Sequence, residues 1–141
     1  MSDNLANLAK IGHLKTELYS ESEFRSLVDS AGKRLTDARN AALSPESRFD
    51  LAYNASHSLA LAALRSHGYR PNKSRVVVFQ SLGHTVNMAT PRWRVLSKCH
   101  DQRNLAEYEG QTEVDPALLN ELIAITSELE VLVSGLRPPK A

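Results

Sequence analysis

Arginine, histidine, asparagine and tyrosine crowd into one short stretch of this chain, Lys98 to Gly110. The stretch predicts the second half of a helix that opens at Pro91 and stops at Gly110. Proline suits a first helical turn, and glycine suits the position just past a helix end. At about 100° per residue, Leu96, Cys99 and Ala106 define an apolar arc, and Arg103 falls inside it. A guanidinium keeps its proton, so on a packed face it needs an acceptor, a wet cavity or a ligand. His100 and Glu107 lie within about 60° of Arg103, and Asn104 and Tyr108 form a polar pair on the adjoining face. An Arg103–Glu107 pair one turn apart accounts for the spacing at a few tenths of a kcal/mol. It leaves the position on the apolar arc unexplained.

Other residues carry weaker signals. His57 lies in the most apolar segment of the chain, where a histidine is either a hydrogen-bonded core residue or, together with Asn54, a support for Arg103. Trp93 between Arg92 and Arg94 reads either as half-buried packing or as a basic-aromatic contact for single-stranded nucleic acid, with Lys98 on the same helix. Cys99 and His100 are adjacent and point about 100° apart on a helix, with no second ligand pair at metal spacing, so no metal is expected. There is no glycine-rich phosphate loop and no nucleophile elbow, and no cofactor is expected.

The elements that position these residues read as helices. Apolar residues recur at helical spacing over Asn4–Leu14 and Glu21–Ala42. Ser44-Pro45-Glu46 is a helix start signal for a segment that runs to about Ser66 and stops at Gly68, apolar nearly all round from Leu51 to Leu64. Tyr69–Asn72 reads as a loop. Val76–Phe79 favours a strand by propensity, but no second β-like run exists to pair with it, so a short helix over Ser74–Asn87 is expected, packed through Val77, Val78, Phe79 and Leu82. Asp115-Pro116 opens the last helix. The expected architecture is all-α, an up-and-down bundle of four long helices with one or two short ones, as a single unit over residues 1–136 with a frayed tail at 137–141.

The chain has 141 residues, 42% hydrophobic and 23% charged, which suits one domain with a real core. The lone cysteine rules out an internal disulfide framework. Residues 1–15 have no apolar run of signal-peptide length and no segment suits a membrane span, so the cytoplasm is the expected location. The net charge of +1 hides a segregation. Leu51–His100 contains no Asp or Glu but carries Arg65, Arg70, Lys73, Arg75, Arg92, Arg94 and Lys98, whereas the stretch from Asp101 onward is rich in acids. Such a pattern makes either a basic surface for phosphates or complementary faces between helices or subunits.

With the helices placed, Arg103-Asn104-Leu105-Ala106-Glu107-Tyr108 resembles the signature of the higher eukaryote and prokaryote nucleotide-binding (HEPN) domains. Leu51–Gly68 is similar to that family's alanine-rich second long helix with its terminating glycine, and Ser74–Leu82 to its short connecting helix. The resemblance covers about Leu35 to Leu132. It implies a homodimer in which two motif helices form one cleft, and a metal-independent endoribonuclease chemistry in which arginine holds the scissile phosphate and histidine works on the ribose hydroxyl. Arg103 and Asn104 match the first two motif positions, while Tyr108 stands where the histidine belongs, as in a variant branch of the family. A phenol titrates near 10 and is a poor base at neutral pH. His100, one turn before Arg103, is the nearest substitute, and Glu107, His57 and Asn54 are supporting residues. The resemblance further implies an RNA- or nucleotide-binding protein of toxin–antitoxin or stress-defence type, active as a weak or degenerate ribonuclease. The alternative is a non-catalytic helical module that pairs with a nucleotidyltransferase-like or antitoxin partner.

Overall fold

In a computed structural model, residues 2–73, 76–109 and 113–136 are described, all but 2, 3, 76 and 105–109 with their side chains. The order is α1 (Ser2–Lys10), β1 (Leu14–Thr16), α2 (Glu21–Ala38), α3 (Pro45–Ser66), β2 (Tyr69–Pro71), α4 (Val76–Gln80), α5 (Leu82–Thr85), α6 (Thr90–Glu109) and α7 (Pro116–Ser134). The chain is mostly helical, as expected. The expected frayed tail at 137–141, and Arg75 in the basic stretch, lie outside the described residues.

Local chemistry sets the helix ends. Ser44 caps α3 by accepting from the Ser47 N–H, with Pro45 in the first turn, and Asp115 caps α7 by accepting from the Ala117 N–H. Two helices stop earlier than their apolar periodicity suggests. The first ends at Lys10 rather than Leu14, because Gly12 takes φ +85° and the Gly12 and His13 N–H groups bond back to the carbonyls of Ala9 and Leu8. This left-handed cap satisfies the last carbonyls and turns the chain away. The second ends at Ala38 rather than Ala42. The Arg48 Nε donates to the Ala38 carbonyl, and the Asn40 side chain accepts from the Ala42 N–H, forming a turn in place of another helical one.

The loop expected at Tyr69–Asn72 is instead β2, paired antiparallel with β1 in the register Leu14↔Pro71, Lys15↔Arg70 and Thr16↔Tyr69. Neither three-residue strand has a sequence run long enough to announce itself. Between Ser74 and Asn87 the expected short helix is found, divided into α4 and α5, with Val77, Val78, Phe79 and Leu82 buried.

Helix α3 is the centre of the core. Ala52, Tyr53, Ala55, Leu59, Ala60, Ala62, Ala63 and Leu64 are fully buried, and α2, α7, α6 and α4 all pack on this helix. Small alanines let those neighbours approach on several sides at once. At its C-terminal end Arg65 is only 1% exposed. Its Nε donates to Glu23 Oε1 at 2.7 Å, Nη1 to the carbonyls of Glu17 and Tyr69 at 3.1 and 3.3 Å, and Nη2 to the Leu18 carbonyl at 2.5 Å. Arg70 joins Glu17 and Glu23 at 2.7 and 2.5 Å, closing a four-residue charge cluster. One guanidinium thus ties α3 to β2, to the link before α2 and to the first turn of α2.

The cluster sets an acid limit on stability. The hydrogen bond from Arg70 holds the Glu17 carboxyl below its usual range. Burial pushes Glu23 up, but hydrogen bonds from Arg65 and Arg70 outweigh it and leave that carboxyl lowered too. Groups whose folded pKa lies below the unfolded value add stability above the unfolded value, about 4.3 for glutamate, and lose it as the pH falls through the folded value. Stability measured by denaturant titration should therefore fall below about pH 4.3, and Glu23→Gln should flatten that fall. Arg65→Met should cost about 2–3 kcal/mol at neutral pH, because it leaves the carbonyls of Glu17, Leu18 and Tyr69 without their donor and removes one of the two arginines that hold the half-buried Glu23 carboxylate. A loss under about 1 kcal/mol, the range of a surface pair, would remove Arg65 from this role.

Candidate functional site

Residues three and four apart share a helix face, so α3 aligns Asp50, Tyr53 and His57 along one line. On α6 the same rule groups His100, Arg103 and Asn104. These two faces meet. The Arg103 guanidinium lies over the Tyr53 ring, 5.2 Å from its centre, and its Nε is 3.8 Å from Asp50 Oδ1. Its side chain is 23% exposed, while Asp50 is 65% exposed. The expectation of an arginine on the packed side of its helix therefore holds, and leucine and cysteine on the same arc, Leu96 and Cys99, are fully buried. An aromatic face attracts a cation through its negative quadrupole, so Tyr53 supports the charge from the core side while Asp50 balances it from the solvent side.

Tyr53 has a second role. Its hydroxyl and His100 Nδ1 are 2.8 Å apart, and the other ring nitrogen, Nε2, is 3.2 Å from Asn104 Nδ2. The Tyr53 ring is fully buried, edge-on to Phe79 at 6.0 Å and tilted against His100 at 6.0 Å and His57 at 6.4 Å. His57 in turn meets Phe79 edge-on at 5.9 Å. Four rings from α3, α4 and α6 thus pack into one floor beneath Arg103.

The expected site residues distribute as follows. Arg103, Asn104 and His100 come together. His57 belongs to the ring floor, one turn beyond Tyr53, and reaches the arginine through that tyrosine. Asn54 is half-buried, one position and about 100° round α3 from Tyr53. Glu107 and Tyr108 fall within α6, but their side chains lie outside the described residues, so the expected Arg103–Glu107 pair and the role of Tyr108 do as well. Among the described residues, the carboxylate found nearest Arg103 is that of Asp50 on α3.

Asp50 and Tyr53 were missed by the sequence reading. Both have a visible signal: Asp50 is the last acid before the acid-free stretch, and Tyr53 is the one phenol in an alanine-rich run, three residues on. What the sequence lacks is the pairing of α3 with α6.

The basic stretch is partly consumed inside the fold. Arg65 and Arg70 are held by Glu17 and Glu23, and Arg92 pairs with Glu128 of α7. Trp93 is half-buried against α5, where a β-carbon at Gly83 would come within 3.6 Å of its Nε1, and Arg94 lies over its ring at 5.9 Å. Arg94 and Lys98 are exposed on α6. Burial, aided by the charge of Glu121, pushes the Cys99 thiol up to about 12, so this sulfur is an inert core atom at neutral pH. Among the described residues, no group of three or more His, Cys, Asp or Glu could hold a metal ion, and no helix is long and apolar enough to cross a membrane.

No family model matches the chain, and no curated protein is found to be similar to it.

The geometry yields a stability prediction. Removing Arg103 deletes a largely desolvated cation–π contact, worth about 0.5–2 kcal/mol, and an ion pair to an exposed carboxylate, worth under about 1 kcal/mol. Arg103→Ala should lower unfolding free energy by about 1–2 kcal/mol with an unchanged denaturant slope. Asp50→Asn should change it by less than about 1 kcal/mol. A larger loss from Asp50→Asn than from Arg103→Ala would contradict this account.

Proposed function

We propose that this chain is a HEPN-like protein that binds RNA or a nucleotide phosphate through Arg103, with α6 as its motif helix. One observation carries the reading. Arg103 is set on a buried aromatic ring and paired across 3.8 Å, beyond hydrogen-bond length, with a carboxylate that is mostly exposed. A phosphate oxyanion offers that guanidinium two short charge-assisted bonds, so it can displace the 3.8 Å contact with Asp50. Asn104 and His100 stand beside it as polar groups for the rest of the ligand. Arg94 and Lys98, on earlier turns of the same helix, are exposed but lie about 180° and 140° round it from Arg103, so they add long-range positive field rather than contacts at that arginine.

The reading includes an up-and-down arrangement of the four long helices α2, α3, α6 and α7, and a cytoplasmic homodimer with α6 at its cleft. It also includes a setting of toxin–antitoxin or stress-defence type. Binding is favoured over cleavage, because both ring nitrogens of His100 are already engaged, by Tyr53 and Asn104. Any ribonuclease activity is therefore weak. A second reading is an interaction module for a nucleotidyltransferase-like or antitoxin partner. It is favoured by the internal pairing of Arg65, Arg70 and Arg92, which reduces the surface open to a polyanion.

Binding of a labelled RNA oligonucleotide decides between them. Affinity should fall steeply with salt as phosphate contacts release counterions. It should be lost in Arg103→Ala, and it should weaken more on charge reversal at Arg94 and Lys98 than at Lys10 and Lys15. No binding at low salt, with Arg103→Ala still folded, would favour the interaction module.

Cleavage is tested separately. The parent protein should cut RNA slowly or not at all, since acid–base assistance is worth about 10²–10⁴-fold. Tyr108→His, which restores the motif histidine, should raise the rate. Cleavage that survives Arg103→Ala would come from another site.

A further inference from the structure

The strand pair at the N-terminal end of the fold has an edge left over. The Glu17 N–H donates to the Gly68 carbonyl at 2.9 Å, and the Asn72 N–H to the His13 carbonyl at 3.1 Å. Bonded pairs alternate along an antiparallel ladder, so Lys15 and Arg70 form the bonded pair between them. Leu14 and Thr16 then turn their backbone groups away from β2. Among the described residues, no hydrogen bond to those groups is found. Beside this edge runs an open groove of about 690 Å³, lined by Ala6, Ala9 and Lys10 of α1, by all of β1, and by Tyr69. Helix α1 is its far wall, and two alanines there leave room for a second backbone.

Apolar residues mark both ends of the edge. Leu18, two residues past β1, is 92% exposed, and Ile11, three residues before it, is 67% exposed. At about 3.3 Å per residue, both lie within reach of a strand laid on β1. The rim is basic. Lys10 and Lys15 are exposed and, among the described residues, have no ion pair. Glu17, the acid of this segment, is already held by Arg65 and Arg70. An edge with free backbone groups and exposed apolar residues is a template for another strand.

We infer that β1 and α1 form a docking groove for an extended segment of a partner protein, alternately apolar and acidic, that adds to β1 as a third strand. Such a strand exchanges backbone bonds with Leu14 and Thr16. Its residues opposite those two share their face, toward Ala6, Ala9 and Tyr69, and there apolar side chains fit. Its residue opposite Lys15 lies on the other face, with β-carbons about 4.5–5.5 Å apart, so a carboxylate there pairs with the free ammonium. A second copy of this chain fits less well. Full overlap of two β1 strands, Leu14 against Thr16, sets Lys15 against Lys15, and like charges directly opposite are destabilising. This docking is independent of the phosphate-binding reading, since none of its residues belongs to the Arg103 site.

Backbone amide shifts of the intact protein, titrated with a short peptide of alternating valine and aspartate, test the groove. The amides of Leu14 and Thr16 should shift, and hydrogen exchange at Thr16 should slow. A valine–lysine counterpart should bind several-fold more weakly. The aspartate peptide N-methylated at its valines keeps its charge but cannot donate to β1, and its binding should be lost. Lys10→Gln combined with Lys15→Gln should bring the aspartate and lysine peptides toward equal affinity. Undiminished binding of the N-methylated peptide would reduce the contact to charge attraction and overturn strand addition. Shifts confined to other surfaces, or no binding at millimolar peptide, overturn the groove itself. A Thr16 amide already protected in a dimer of the free protein would give the groove to a second copy and overturn the acidic partner.

Discussion

The buried guanidinium of Arg65 is the interaction on which the arrangement of the N-terminal half depends. It sits at the last turn of the central helix α3 and donates to the carbonyls of Glu17, Leu18 and Tyr69 and to the Glu23 carboxylate. Those groups belong to segments with little means of holding themselves in place. The strands β1 and β2 have three residues each, too few to be stable alone, and the link between β1 and α2 has no regular structure. A planar fork of five N–H donors serves several acceptors at once, which the point charge of a lysine does not. Arg70, across the strand pair, adds a second cation to the same two carboxylates. Burying charge is costly, and this cluster recovers the cost through hydrogen bonds on nearly every side.

A second polar constellation shows how the core supports surface chemistry. Tyr53 is fully buried, yet its ring face meets Arg103 and its hydroxyl meets His100. A phenol can do both because its apolar body and polar tip are separate. The ring packs on Phe79 and His57, so two polar side chains of α6 inherit the rigidity of α3 and α4. Sites built on packed helices in this way hold their geometry better than sites on loops.

The charge segregation takes on a different meaning in three dimensions. In the linear chain, the acid-free stretch suggests a continuous basic surface. In the fold, Arg65 and Arg70 find acids from α2 and the link before it, and Arg92 finds Glu128 on α7. Complementary faces between helices account for these three arginines. The exposed Arg94 and Lys98 lie on α6, the helix that carries Arg103. The positive surface is thus narrower than composition suggests, and on α6 it faces away from Arg103, about 140–180° round the helix.

The sequence by itself determined the helices. Ser44-Pro45 and Asp115-Pro116 are start signals that act within one turn, and the alanine-rich run from Leu51 to Leu64 announces a helix buried all round. It also singled out Arg103, His100 and Asn104, because a wheel places polar groups against an apolar arc without knowledge of any other element. Tertiary structure decided everything that joins distant segments. The strand pair was illegible because three-residue strands carry no periodicity, and their bonds form between residues more than fifty positions apart. Arg65 stood open to either reading of the basic stretch, a surface for phosphates or a complementary face, because nothing near it in sequence shows that Glu17 and Glu23 will converge on it. Asp50 and Tyr53 were missed for the same reason. Periodicity says which residues share a face of one helix, and only packing says which face of another helix it meets.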